Sequence, residues 1–268
     1  GFGGEDAAHD CGTLRYVRIR HAGRANRIAL PVNVHPLLLA GCGTDTEVDF
    51  VHVHRANHDG LGVYGGEVTL EHLVVTEVPV GQAYSLDFGW AGRGQYWIGH
   101  NTSDNDESGI EGRRRHPPLG HATVANVTLI SARRNDAEAI YMTSIAGLHA
   151  HNVLIEGFEE AVHVFDGTLA YRGWLEESLL LEGVLANVAG DFAREPEVER
   201  AYGPPAFGNR VGATGLDPAL TRDVLEAPDF RPVAAAGTGA ATLPEAFEPT
   251  DYLGAVDPDG EDWTAGWT

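Results

Sequence analysis

No lysine occurs in the 268 residues, so all 18 basic residues are arginine. That absence excludes a Schiff-base lysine, a P-loop lysine and any other catalytic lysine. Basic residues are few in total: 39 acidic residues leave a formal net charge of −21. Phosphate binding needs clustered positive charge, so nucleic acid and anionic membrane surfaces are excluded as partners. The one basic run, Arg113-Arg114-Arg115-His116 before Pro117-Pro118, reads as a solvated loop that could grip an anionic sugar or phosphate. No apolar stretch approaches the ~20 residues that span a bilayer, so no membrane insertion is expected. No G-x-S-x-G, H-E-x-x-H, Walker A or dinucleotide fingerprint is present. The start at Gly1-Phe2-Gly3-Gly4 lacks both a methionine and a signal peptide. It reads as a processed or truncated product, which leaves the precursor open.

What is present is glycine, at 34 residues, and many short apolar runs punctuated by Gly, Asn and Asp. These favour an all-β solenoid or barrel. One strand family recurs through Val17, Val51, Leu73, Trp97, Val127 and Val153, at steps of 34, 22, 24, 30 and 26 residues. A second recurs through Leu61, Leu86, Ile110, Ile140 and Val162, at steps of 25, 24, 30 and 22. Apolar residues alternate within each strand, as a sheet with one buried face requires. Two ladders advancing together predict a right-handed parallel β-helix, whose coils bury their inward faces only by stacking. Asn126 and Asn152 fall at equivalent places, where an amide can bond the residue above.

The repeat is expected over residues 1–185. Residues 186–268 carry most of the prolines, an Ala/Gly-rich stretch at 234–241 and a tryptophan-bearing ending. This irregular C-terminal segment is expected to lie back on the solenoid as a cap, seating its tryptophans and covering exposed backbone.

Several segments carry a resemblance. They are Cys11-Gly12-Thr13-Leu14-Arg15-Tyr16-Val17-Arg18-Ile19, Asp59-Gly60-Leu61-Gly62-Val63-Tyr64-Gly65-Gly66, Ser108-Gly109-Ile110-Glu111, Asn126-Val127-Thr128-Leu129-Ile130 and the ending Asp251 to Thr268. In these the chain resembles a family of bacterial exported β-helix proteins, some of them lipoproteins. The resemblance implies export and a β-helical fold, and it implies no activity. Relatives usually carry further β-helix ahead of the first of these segments. Gly62 departs from the pattern, standing where relatives often have an acidic residue.

The column Gly62, Asp87, Glu111, Tyr141, His163 follows the second ladder. In that alignment Asp87 and Glu111 stack on adjacent coils, with carboxylates roughly 5 Å apart. Charges that close share a proton or recruit a cation. Three readings compete: a solvated acidic face, a structural Ca2+ site using Asp59, Asp87 and Glu111, and a catalytic pair Asp87/Glu111 for sugar chemistry. Asp104, Asp106, Glu107, Asp136 and Glu138 surround the column in turns. Trp97 reads as core, and Trp90 is open to a sugar-stacking role. The i, i+2 pairs His52/His54 and His149/His151 are candidate transition-metal ligands, but a closed zinc site needs four. The pair His58-Asp59 is of a kind common by chance. Cys11 and Cys42 each precede Gly-Thr in consecutive coils, so they are either a disulfide, offset by a few residues of loop, or two buried thiols.

These observations set three functional expectations. The first is a non-enzymatic, extracytoplasmic structural or binding protein stabilised by calcium. The second is a carbohydrate-active enzyme, a polysaccharide lyase or glycoside hydrolase, using Asp87 and Glu111. The third is a subunit of a larger surface assembly. The expected partners are polysaccharide or other surface protein subunits.

Overall fold

A computed structural model describes residues 6–23, 34–102, 107–113, 121–132, 137–143, 146–165, 174–217 and 229–268. Asp104, Asp106, Asp136 and the run 114–118 lie outside the described residues.

The described strands, in chain order, are β1 (Thr13–Arg20), β2 (Leu37–Ala40), β3 (Glu47–His54), β4 (Leu61–Tyr64), β5 (Thr69–Val78), β6 (Tyr84–Asp87) and β7 (Arg93–Asn101). They continue as β8 (Ile110–Arg113), β9 (His121–Ser131), β10 (Glu138–Thr143), β11 (Gly147–Glu156), β12 (Glu160–Val164), β13 (Leu179–Asn187) and β14 (Arg210–Val211). One parallel sheet takes the long strands in the order β1-β3-β5-β7-β9-β11-β13-β14, and the second takes the short ones in the order β12-β10-β8-β6-β4-β2. The chain alternates between the sheets coil after coil, which makes it a parallel β-helix. Right-handed crossover is the rule for such connections.

The first ladder pairs as its spacing predicts: Val17, Val51, Leu73, Trp97, Val127 and Val153 are successive partners, and Val184 extends the column. Val, Leu and Ile from both sheets fill a continuous interior, with Leu70, Leu73, Trp97, Leu129 and Ile140 almost wholly enclosed. The pairing also runs past residue 185, because β14 joins β13. Among the described residues two short α-helices follow the last short strand, α1 (Trp174–Ser178) and α2 (Pro196–Tyr202). At this end Asn209 donates to the carbonyls of Leu181 and Tyr202 and accepts from the Val184 amide, satisfying backbone groups that an open end would expose.

Each long strand is bent near its middle. Tyr16, Phe50, His72, Tyr96, Asn126 and Asn152 all have left-handed backbone, with φ of 53°, 51°, 46°, 62°, 51° and 55°, and Gly183 continues the column at 66°. A non-glycine residue in this region costs roughly 1–2 kcal/mol, with Asn the best tolerated. Stacking offsets that cost where the column is cyclic: ring centroids lie 4.6 Å apart for Tyr16–Phe50, 4.3 Å for Phe50–His72 and 4.8 Å for His72–Tyr96. The two asparagines bond the C-terminal segment instead of each other. Asn126 Nδ2 donates to the carbonyls of Tyr252 and Gly254, while Asn152 exchanges bonds with both backbone groups of Ala241.

The C-terminal segment lies on the outside of the long-strand sheet. Its Leu216, Phe230, Leu253 and Val256 form a second apolar cluster with the outward-facing Val74, Ile98, Ile130 and Leu154. Trp263 and Trp267 reach the rings of the first coils, Trp263 against His72 and Trp267 against Phe50. The outer face of the long-strand sheet from β5 to β13 is thereby packed against the C-terminal segment, while much of β1 stays exposed.

Candidate functional site

Successive side chains of a strand point to opposite faces of its sheet. The pairing of β4, β6, β8, β10 and β12 places Gly62, Ser85, Glu111, Tyr141 and His163 in one outward column. This corrects the expected stacking of Asp87 on Glu111. Ser85 is the partner of Glu111, and Asp87 is the partner of Tyr64, two residues further along. The reason is Tyr84, which takes the inward place assigned to Leu86. Its ring is fully enclosed, and its hydroxyl donates to the Ile98 carbonyl at 2.7 Å. A two-residue shift keeps the face and changes the column, so Asp87 and Glu111 share a side of the sheet without being neighbours in the ladder.

Asp59, Asp87 and Glu111 likewise do not form one oxygen cage. The Phe88 amide donates to Asp87 Oδ1 at 2.6 Å. Glu111 pairs with Arg113 from the same strand. Asp59 meets two imidazoles, its carboxylate oxygens lying 3.5 Å from His35 Nδ1 and 3.2 Å from His58 Nδ1. Calcium takes six to eight oxygens, so the surroundings of these three carboxylates do not suit it.

An open groove of about 670 Å³ runs over this face, lined by Glu107, Glu111, Arg113, Glu138, Tyr141, Glu159, Glu160, His163 and Arg194 among others. Both guanidiniums among its described lining residues are engaged. Arg113 holds Glu111, and Arg194 grips Glu160 through two hydrogen bonds of 3.2 and 2.8 Å. His163 bridges two carboxylates, with Nδ1 3.1 Å from Glu138 and Nε2 3.3 Å from Glu195. Burial raises the Glu111 carboxyl to about 7, against the pull of Arg113, and the charges of Asp59 and Glu107 add to the rise. Burial raises Glu107 as well, and burial with Glu111 and Glu138 raises the Tyr141 phenol. The groove therefore offers a carboxyl that can carry a proton near neutrality, set among hydrogen-bonding groups.

Other sequence candidates fall elsewhere. Trp90 is interior: its indole donates to the Val68 carbonyl at 3.1 Å and stacks on Trp97, which is core as expected. His52 and His54 are buried, His52 against Trp267 of the C-terminal segment, and they share Thr76 as a hydrogen-bond partner. His149 stacks on His121, and His151 pairs with Glu182. Cys11 and Cys42 are joined in a disulfide with Cα atoms 5.6 Å apart. His35 and Tyr64, beside the first short strands, and Arg194 and Glu195, past the last one, carried no sequence signal as site residues. The available signal was spacing: Leu37 and Leu61 stand 24 residues apart, as do His35 and Asp59.

The model of the pectate-lyase-like β-helix domain matches residues 1–215, and the chain belongs to that family. No curated protein and no solved structure matches the chain.

Proposed function

We propose that this chain is an extracytoplasmic β-helix protein that binds a neutral segment of polysaccharide along the groove of the short-strand sheet. The carrying observation is the charge state of that groove. Five glutamates line it, while Arg113 and Arg194 are both committed to glutamates within it. Among the described lining residues a polyuronate would meet net repulsion and find both guanidiniums paired, whereas sugar hydroxyls suit carboxylates, Tyr141 and His163 as hydrogen-bond partners. Export is supported by the Cys11–Cys42 disulfide, since such bonds persist in oxidising compartments.

A second reading adds catalysis at the same place, favoured by the raised Glu111 carboxyl. A glycosidase acid must hold a proton near its working pH. In hydrolysis the Glu111 proton would pass to the glycosidic oxygen as the C1–O bond breaks. Water would add at C1 and give its proton to a second groove carboxylate. Titration calorimetry with neutral and uronic polysaccharides tests binding. Affinity for a neutral glycan that Glu138→Gln weakens at least tenfold is expected; binding of polyuronate alone, or of neither, overturns the reading. Release of reducing sugar that Glu111→Gln abolishes would establish the catalytic form.

A further inference from the structure

We propose that His35, His58 and Asp59 form a binding site for a divalent transition-metal ion at the first-coil end of the short-strand sheet, beside the groove. Leu37 pairs with Leu61, so His35 and Asp59 hold equivalent places in adjacent coils, two residues ahead of β2 and β4. His58 precedes Asp59 and brings a second imidazole to the same carboxylate. One ligand atom from each of the three residues lies within 4.8 Å of the others.

The spacing is that of ligands around an ion. His35 Nδ1 and His58 Nδ1 stand 3.5 and 3.2 Å from the two Asp59 oxygens, and neither nitrogen makes an aligned hydrogen bond. Ligands at 2.0–2.1 Å from a tetrahedral zinc are separated by roughly 3.4 Å. The His35 side chain is 1% exposed, and its Nδ1 points at Asp59. A buried imidazole nitrogen without a hydrogen-bond partner calls for an explanation, and a cation supplies one.

The surroundings orient the donors. His35 Nε2 lies 2.6 Å from the Tyr64 hydroxyl. With the proton on Nε2 given to that oxygen, Nδ1 keeps its lone pair for a metal, the usual arrangement of a ligating histidine. The Gln82 amide donates to Asp59 Oδ1 at 3.2 Å. Gly62 makes the room: a Cβ there would lie 2.8 Å from His35 Cδ2.

Two imidazoles and one carboxylate suit zinc, iron or cobalt and disfavour calcium. Three protein ligands leave a coordination position for water or a ligand oxygen. The three residues adjoin the groove, because Gln82, whose backbone amide donates to Asp59, lines it and donates its side-chain amide to Glu107 at 2.9 Å. This site does not depend on the glycan reading.

The test uses the full chain without an affinity tag, stripped with chelator and titrated with Co2+. One equivalent should bind with visible d–d absorption and a raised melting temperature. Zn2+ should displace it, and millimolar Ca2+ should not. His58→Gln and Asp59→Asn should each weaken Co2+ binding more than tenfold with an unchanged far-ultraviolet spectrum. Tyr64→Phe, which leaves all three ligands in place, should weaken it about tenfold. No saturable Co2+ binding, displacement by Ca2+, or binding indifferent to His58→Gln and Asp59→Asn overturns the proposal. The last result would place the metal elsewhere, for example at the half-buried cluster of Asp49, Glu71 and His72.

Discussion

Arg113 donates to Glu111 from two residues along the same strand, so the pair stands together on the outward face with the carboxylate nearly enclosed and the guanidinium half exposed. Burial outweighs this contact and lifts the Glu111 pKa from 4.5 to about 7. Below pH 4.5 the carboxyl is protonated in both folded and unfolded chains. Between 4.5 and 7 only the unfolded chain releases its proton, so stability falls as pH rises through that window and levels off above it. The slope is at most about 1.4 kcal/mol per pH unit. His52 and His149 titrate with the opposite sign over the same range, so the Glu111 contribution is read as a difference. In denaturant melts from pH 4 to 8 the natural chain should lose stability relative to Glu111→Gln as pH rises. An unchanged slope in the variant would place the titrating group elsewhere.

His52 titrates with the opposite sign. It is buried beneath Trp267, with ring centroids 6.4 Å apart, and burial with the nearby His54, Arg18 and Arg20 charges lowers its pKa from 6.5 to about 3. The stability that neutral His52 supports is full above pH 6.5 and is lost as pH falls toward 3. Tryptophan fluorescence should therefore report release of the C-terminal segment on acidification, and His52→Gln should move the onset to lower pH. His149, lowered to about 4 by burial and His121, keeps part of the acid response in that variant.

Asn126 joins the bend of β9 to the C-terminal segment. Its amide accepts from Gln95 and Thr250 and donates to the carbonyls of Tyr252 and Gly254. Asn126→Ala removes these bonds and leaves a β-carbon in left-handed backbone, for an expected loss of about 2–4 kcal/mol. Asn126→Gly relieves the backbone alone, so it should fall between the two in thermal melting. Equal losses would mean that the backbone contributes nothing.

The disulfide closes 31 residues of chain. A loop of that length corresponds to about 3–4 kcal/mol of unfolded-state entropy. Cys11→Ser with Cys42→Ser, or treatment with reductant, should lower stability by that order with the strand content of circular dichroism retained. Loss of the spectrum instead would show that the first coil cannot form unbridged.

The first ladder was legible because each long strand offers one inward apolar residue at a constant distance from the bend, from Val17 to Val153. The second was legible in face and misread in register. Tyr84 and Leu86 both fit an inward place, and alternation cannot choose between positions two apart. The groove inherited that error at Asp87 and escaped it at Glu111, Tyr141 and His163, which alternate from correctly aligned residues. Arg194 and Glu195 sit beyond the last short strand, where no repeat points to them. His35 was hidden for a similar reason, since β2 consists of four residues without a signature of its own. The bends were hidden too, because left-handed backbone at Phe50 or Tyr96 is set by ring stacking between coils, and only asparagine announces it.

The C-terminal segment has a mechanical consequence. A stack of coils held only by neighbour contacts can fray from either end, one unit at a time. Here the Arg18 guanidinium donates to the Trp267 carbonyl, while Ala241 is bonded to Asn152. The last stretch of chain thus straps coils from β1 to β11 in parallel with their own ladders. Pulling apart the solenoid must break that strap in shear, many bonds at once, so unfolding under tension should be a single rip rather than a staircase.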